Sequence, residues 1–294
     1  MSNLSNPGAV KALLARHGLR LSKELGQNFL TDPTVCPRMA GAAGLEGCAG
    51  AIEIGPGVGV LTWELAQRAQ KVVAIELDRR LFPVLAETLA PCSNVKLIQG
   101  DVLQTDLHRL IQEEFGGGPV CVCANLPYYI TSPVVMALLE SALPLTSVTV
   151  MVQKEAAQRF CAPPGVRDCG AVSASVHYRS RPQILFEVGR GSFLPPPQVD
   201  SAVVRFAIRP SPPVAVENEA WMFRLVRAAF GQRRKTAANA ISAGLGLPKP
   251  QVEQALIQAG APAAVRAERL TLPQLAALAN ALPTPTPTRK GANP

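Results

Sequence analysis

The sequence predicts an α/β protein, a doubly wound sheet joined to a small all-helical C-terminal domain. Three observations carry that expectation. Five short apolar runs, Ala51–Ile54, Val72–Ile75, Val95–Ile98, Val120–Ala124 and Val148–Val152, are separated by helix-period segments. The runs are nearly continuous in apolar residues, as strands of a parallel sheet covered on both faces are. Beyond Pro210 only helical periodicity remains.

Taken in order, Asn6-Pro7 is a helix start, Val10, Leu13 and Leu14 make its apolar face, and Gly18 is a stop. The first 23 residues hold Lys11, Arg16, Arg20 and Lys23 and no acid, as transit peptides do; the capped apolar face favours a structural helix instead. A loop follows over Glu24–Asp32. Ala51–Ile54 runs into a Gly-rich turn and the helix Val60–Ala69, whose Leu61, Leu65 and Ala69 share a face. Leu81–Leu89 and Asp106–Phe115 are the next helices. After about residue 180 the rhythm changes. Gln183–Val188 and Ser201–Ile208 read as strands around the loop Leu194-Pro195-Pro196-Pro197, and with no helix between them they are expected to pair antiparallel at one edge. Pro210, Pro212 and Pro213 make a linker. Met222, Leu225, Val226, Ala229 and Phe230 then fall at i, i+3, i+4, i+7 and i+8, Pro250 opens a helix with Val252, Ala255, Leu256 and Ala259, and Leu275, Leu278 and Leu282 mark a last one. The expected division is residues 1–209 around the sheet, 210–283 helical, and a disordered Pro/Thr tail at 284–294.

Of the 294 residues, 48% are hydrophobic and 17% charged, which excludes a wholly disordered chain. The net charge of +8 is unevenly placed. Residues 1–209 carry 19 basic and 17 acidic side chains, and residues 210–294 carry 10 and 4. The helical part is a basic appendage, suited to a polyanion. Seven cysteines, an odd number without framework spacing, point to reduced thiols and a cytoplasmic setting. Cys121 and Cys123 sit two apart on a strand, but no second Cys or His pair completes a metal site, so buried core thiols and no metal are expected. No apolar run approaches 18 residues, so no membrane span is expected.

Chemistry gathers at strand ends, the ligand edge of an open parallel sheet. Glu53-Ile54-Gly55-Pro56-Gly57-Val58-Gly59 follows a strand and opens a helix, with Gly59 one residue early for the dinucleotide fingerprint G-x-G-x-x-G. Glu76, 21 residues after Gly55, can accept both hydroxyls of a ribose. Asp101 can take an adenine amino group, and Asn125 ends the fourth strand. No Gly-Lys-Ser/Thr run is present. The pattern favours an adenosyl ligand without pyrophosphate. Asn125-Leu126-Pro127-Tyr128 then sets the reaction class. A purine amine is a poor nucleophile because its lone pair is delocalised into the ring. The Asn125 side-chain oxygen and the Pro127 carbonyl can each accept one of its N–H groups and so localise the lone pair, while Tyr128 stacks on the base. No general base is needed, since the proton leaves after the methyl arrives.

These residues carry a family resemblance. The chain resembles the small-subunit ribosomal RNA adenine N6,N6-dimethyltransferases of the rRNA adenine dimethylase family, over about residues 20–240 in order. The matching stretches are Gly26–Leu30, Glu53–Gly59, Glu76, Gly100-Asp101, Asn125–Tyr128, Met151–Glu155, Phe193–Val203 and Phe230–Thr236. The resemblance implies a Rossmann-like class I methyltransferase fold and S-adenosylmethionine as methyl donor. It implies that Asn28 and Leu30 close over the cofactor, Gly55 contacts it through its backbone, Glu76 holds the ribose, Asp101 the adenine amine, and Asn125 sits between donor and acceptor. Phe193 would stack on the flipped base opposite Tyr128, and Arg233, Arg234 and Lys235 would bind RNA. The partner implied is small-subunit rRNA in an assembling subunit, with two adjacent adenosines of a hairpin loop near its 3′ end dimethylated by a monomer. A large-subunit rRNA adenine methylase of the antibiotic-resistance branch, or a non-catalytic RNA- or DNA-binding relative, stay open as alternatives.

Overall fold

The computed structural model describes residues 6–19 and 28–284. It divides into two compact units, one holding the residues up to Gln158 with Ser180–Arg209, the other Arg159–Arg179 with the residues from Pro210 on.

Nine strands, β1 (Phe29–Leu30), β2 (Gly50–Ile54), β3 (Val72–Glu76), β4 (Val95–Gln99), β5 (Val120–Asn125), β6 (Leu145–Gln153), β7 (Ser180–Val188), β8 (Phe193–Leu194) and β9 (Ser201–Ile208), lie in the first unit. Seven form one sheet in the order β4-β3-β2-β5-β6-β9-β7. The β4-β3-β2-β5-β6 pairings are parallel, and β9 is antiparallel to both β6 and β7. The expected antiparallel pair is therefore present, with β7 at the edge. β2 and β3 are buried at every residue, as the continuous apolar runs require. Cys121 and Cys123 are fully enclosed, and burial pushes Cys121 up to about 12 and Cys123 well above the ordinary thiol range, so both are protonated core side chains.

Helices α1 (Pro7–Arg16), α2 (Val35–Gly41), α3 (Val60–Ala66), α4 (Phe82–Thr88), α5 (Leu107–Phe115) and α6 (Thr131–Glu140) belong to the same unit, and α7 (Lys154–Cys161) follows β6. α1 starts as expected, with the Asn6 side chain accepting the Gly8 N–H at 2.7 Å. Its Val10, Leu13 and Leu14 are buried with Phe29, Val58, Leu81 and Val84. The sequence expectation of a plain loop over Glu24–Asp32 is corrected where it can be followed. Phe29 pairs with Leu194 and Leu30 with Phe193, a two-stranded antiparallel ribbon of β1 and β8. Two residues are too few to show alternation, and the partner strand is far away in the sequence. Gly26 and Gln27 lie outside the described residues, as do residues 285–294 of the expected tail.

The second unit holds α8 (Ala171–Arg179), α9 (Glu219–Phe230), α10 (Ala237–Leu245), α11 (Lys249–Gln258) and α12 (Leu272–Ala281). Trp221, Met222, Leu225, Val226 and Ala229 of α9 are buried with Ile241, Val252, Leu256, Leu275 and Leu278. Asn218 caps α9 by accepting the Trp221 N–H at 2.9 Å, and Thr271 and Gln274 form a capping box on α12. The boundary differs from the expected single break after residue 209. Ala174 and Tyr178 of α8 share the α9 core, and the Tyr178 ring meets Phe223 edge-on at 5.2 Å, so residues 159–179 group with the helices.

One glycine tests the packing of the parallel sheet. A Cβ on Gly50 would lie 2.4 Å from the Lys71 carbonyl oxygen and 2.5 Å from Phe115 Cε1. Gly50→Ala is expected to lower stability by about 1–3 kcal/mol in denaturant unfolding. Gly41→Ala, on α2 with no atom within 4 Å of the new carbon, is expected to be neutral or stabilising.

Candidate active site

Strand register places the site. Ile54 pairs with Ile75 on β3 and with Ala124 on β5, so the next residues, Gly55, Glu76 and Asn125, come level at one edge of the sheet. The Gly55 N–H donates to the Ile75 carbonyl at 2.9 Å, which turns the chain out of β2. Gly55 has φ +70°, and no atom lies within 4 Å of where its Cβ would be, so the space above it is open. Gly59 has φ +89° and begins α3, where a Cβ would lie 3.0 Å from Thr88 Oγ1 and 3.2 Å from the Leu89 side chain.

Gly55, Glu76 and Asn125 line one cleft together with Asn28, Leu30, Asp101, Leu126, Pro127, Tyr128 and Phe193, so the expected cofactor and catalytic residues are brought together. Glu76 is buried and anchored by backbone donors, from Gly57 N–H at 3.3 Å and Asp78 N–H at 2.8 Å. Burial raises its pKa against the pull of those bonds. Asp101 accepts the Leu103 N–H at 3.0 Å and the Gln104 amide at 3.2 Å. The Asn125 amide nitrogen donates to the Asn28 carbonyl at 3.4 Å, which turns Oδ1 away from that wall. No donor among the described residues reaches Oδ1.

Pro127 has a different task from the one expected. Its carbonyl already accepts the Ile130 N–H at 3.2 Å and the Thr131 hydroxyl at 3.3 Å, so both lone pairs serve the start of α6. The Leu126 carbonyl, one residue earlier in the same cleft, receives no hydrogen bond from the described residues. Tyr128 is half-buried with its hydroxyl 2.8 Å from Ser201 Oγ, and burial raises its pKa. Phe193 is 4% exposed, packed in one apolar cluster with Leu30, Met39 and Val203, and serves the cleft as a wall. Arg233, Arg234 and Lys235 lie in the second unit, all exposed and without an acidic partner among the described residues.

The strand reading missed three contributors to this cleft, Glu53, Leu77 and Val102. Glu53 is 1% exposed and its Oε2 has no hydrogen-bond partner. Burial pushes its carboxyl up to about 8, the Thr62 hydroxyl works against the rise and the Glu76 charge adds to it. The signal was present, a carboxylate between Ile52 and Ile54 in an otherwise apolar strand. Leu77 is 56% exposed beside Glu76, and with Val102 it supplies an apolar lining for a flat heterocycle.

The family model for ribosomal RNA adenine dimethylase matches residues 18–281. The chain belongs to the ribosomal RNA adenine dimethylase family. Relatives within that family include ribosomal RNA small subunit methyltransferase A of Geobacillus thermodenitrificans, 47% identical over 95% of this chain and 97% of its own. The protein of the same name from Alkaliphilus metalliredigens is 46% identical with the same coverage. Among solved structures, a dimethyladenosine transferase from Plasmodium falciparum superposes with a TM-score of 0.70 at 25% identity, over 85% of this chain and 95% of that one. The 23S rRNA methyltransferase ErmE superposes with a TM-score of 0.69 at 27% identity, over 87% and 99%. This dimethylase-family chain is thus a methyltransferase with the class I sheet that the sequence led us to expect.

Glu53 gives a signed pH prediction. Its folded pKa lies above the unfolded value of 4.5, so between about pH 4.5 and 8 the folded state holds the extra proton and stability falls as pH rises. Relative to wild type, ligand-free Glu53→Gln is expected to gain stability by up to about 1.4 kcal/mol per pH unit across that window. No relative pH dependence is expected below it. Urea midpoints from pH 4 to 8 measure this, and a constant difference would refute the buried, proton-holding carboxyl.

Proposed function

We propose that this chain uses S-adenosylmethionine to dimethylate N6 of two adjacent adenosines in a hairpin loop near the 3′ end of small-subunit rRNA. The observation that carries the reading is the Asn125 amide, fixed by Asn28 and level with Gly55 and Glu76 at the sheet edge. The small-subunit choice over the antibiotic-resistance branch is supported by relatives of that name at 47% and 46% identity, against 27% for ErmE. The intact strand-end residues weigh against a non-catalytic role.

The cleft fits the methyl donor. Glu53 lines it with a buried, unpartnered Oε2, where a cationic ammonium would favour loss of the carboxyl proton, and the space above Gly55 admits a ligand against bare backbone. Asn28, Leu30, Gly55, Glu76, Asp101 and Asn125 would hold the group, with Glu76 on ribose hydroxyls and Asp101 on the adenine amine. Bound S-adenosylmethionine would supply an electrophilic methyl carbon on a sulfonium. Asn125 Oδ1 accepts one N–H of the target amine. The second acceptor is assigned to the Leu126 carbonyl, since that of Pro127 is occupied. Together they hold the nitrogen lone pair out of conjugation, and the proton displaced after transfer is acidic enough to pass to water. Tyr128, steadied by Ser201, stacks on the extruded base, with Phe193 in the opposite wall. The work is positioning plus fixed acceptors.

Arg233, Arg234 and Lys235 would grip phosphate. The proposed setting is an assembling subunit in the cytoplasm, a reading that seven free cysteines support. The reading takes the working unit to be a monomer.

Asn125→Ala is expected to reduce methylation of unmethylated small subunits by at least about 100-fold. Glu76→Ala should weaken S-adenosylmethionine binding by roughly 10- to 100-fold in calorimetry. Labelled donor with purified small and large subunits tests the substrate, and label confined to the large subunit would overturn the reading. Charge reversal at Arg233, Arg234 and Lys235 should lower the slope of log RNA affinity against log salt by up to about 0.9 for each phosphate no longer neutralised, depending on RNA form. An unchanged slope would remove this patch from the RNA interface.

A further inference from the structure

We propose that Tyr129 forms a stacking subsite for the nucleobase next to the target adenine, an inference that rests on the rRNA reading above. Tyr128 and Tyr129 are consecutive in a single 3₁₀ turn, Tyr128–Ile130. Successive residues of such a turn are about 120° apart, so the two rings face different ways. Tyr128 is half-buried and tethered through its hydroxyl to Ser201. Tyr129 is 62% exposed, the only exposed Phe, Trp or Tyr among the described residues, and it lines the same cleft as Asn125. Its hydroxyl has no hydrogen-bond partner among those residues, so the side chain offers a bare ring face.

The chemistry at Asn125 identifies the occupant. A base reaches that amide only after it leaves its stack, and the base beside it then loses a stacking partner. An exposed ring one residue from Tyr128 replaces that partner where the vacancy opens. Stacking on an aromatic side chain is tolerant of base identity, because every base has a π-face. It therefore accepts whichever base lies on that side of the target, for either of two adjacent adenosines. A partner other than substrate would have to occupy the mouth of the reaction cleft and block it.

The test uses the full chain and small-subunit particles reconstituted on unmethylated rRNA, either intact or with one abasic nucleotide on the 5′ or the 3′ side of the target. Tyr129→Ala should lower kcat/KM for intact particles by roughly 5- to 150-fold, the equivalent of about 1–3 kcal/mol, with donor affinity unchanged in calorimetry. Tyr129→Phe should recover most of the loss, because the hydroxyl has no partner. An abasic neighbour on one side should lower wild-type kcat/KM by a similar factor and leave Tyr129→Ala no worse. The inference is overturned if Tyr129→Ala matches wild type, if Tyr129→Phe is as impaired as the alanine variant, if donor affinity falls in parallel, or if the abasic and alanine effects multiply. Absence of transfer by the wild-type chain to intact particles would overturn the rRNA reading itself.

Discussion

The parallel pairing of β2 with β3 on one side and β5 on the other sets the position of almost every group in the cleft. Ile54, Ile75 and Ala124 are level; the chain leaves β2 at Gly55, and Glu76 and Asn125 are the last paired residues of β3 and β5. A one-residue slip in either pairing would turn a strand over and carry Glu76 or Asn125 to the opposite face. The register is held by strands buried on both faces, so the same apolar runs that stabilise the sheet also aim its ends. Gly55 is where this matters most. Its N–H stays on Ile75 while its φ of +70° takes the chain away, leaving bare backbone under an open space.

Glu53 shows what the same burial costs. A carboxylate in the middle of β2 has no solvent and one oxygen without a partner, and it responds by holding a proton near neutral pH. An unpaired buried acceptor is unfavourable in the free protein, and a cationic ligand group removes that penalty on binding. Glu76, one strand away, is handled differently. Two backbone N–H groups donate to it and hold it as a preorganised acceptor.

Much of this was legible because it repeats along the chain. Apolar runs spaced by helices pointed to the sheet, and Glu76, Asp101 and Asn125 stood out as polar residues at the ends of those runs. What stayed hidden depends on residues far apart in sequence or on local hydrogen bonding. β1 and β8 are two residues each and make sense only as a pair. α8 is short and rich in serine and alanine, and its place with the helices comes from Tyr178 meeting Phe223. The role of Pro127 turned on two donors, Ile130 and Thr131, that close the turn after it, and no motif spacing encodes where a carbonyl's lone pairs are directed.

The β1–β8 ribbon joins two walls that the sequence presents as separate motifs. The Thr31 N–H donates to the Ser192 carbonyl at 2.8 Å, and the Ser192 hydroxyl donates to Asp32 at 3.1 Å. Asp32 is in turn held by the Thr34 N–H and hydroxyl, which lower its pKa and keep it charged. Leu30 is paired with Phe193, and two residues before Leu30 the Asn28 carbonyl orients the Asn125 amide. A continuous set of contacts thus runs from the proline-rich loop, through the ribbon, to the Asn125 amide. Groups connected this closely do not contribute independently. The proline loop and the N-terminal Asn28–Leu30 segment are therefore one device: Phe193 and Leu30 form part of the cleft wall, and the Asn28 carbonyl orients the Asn125 amide.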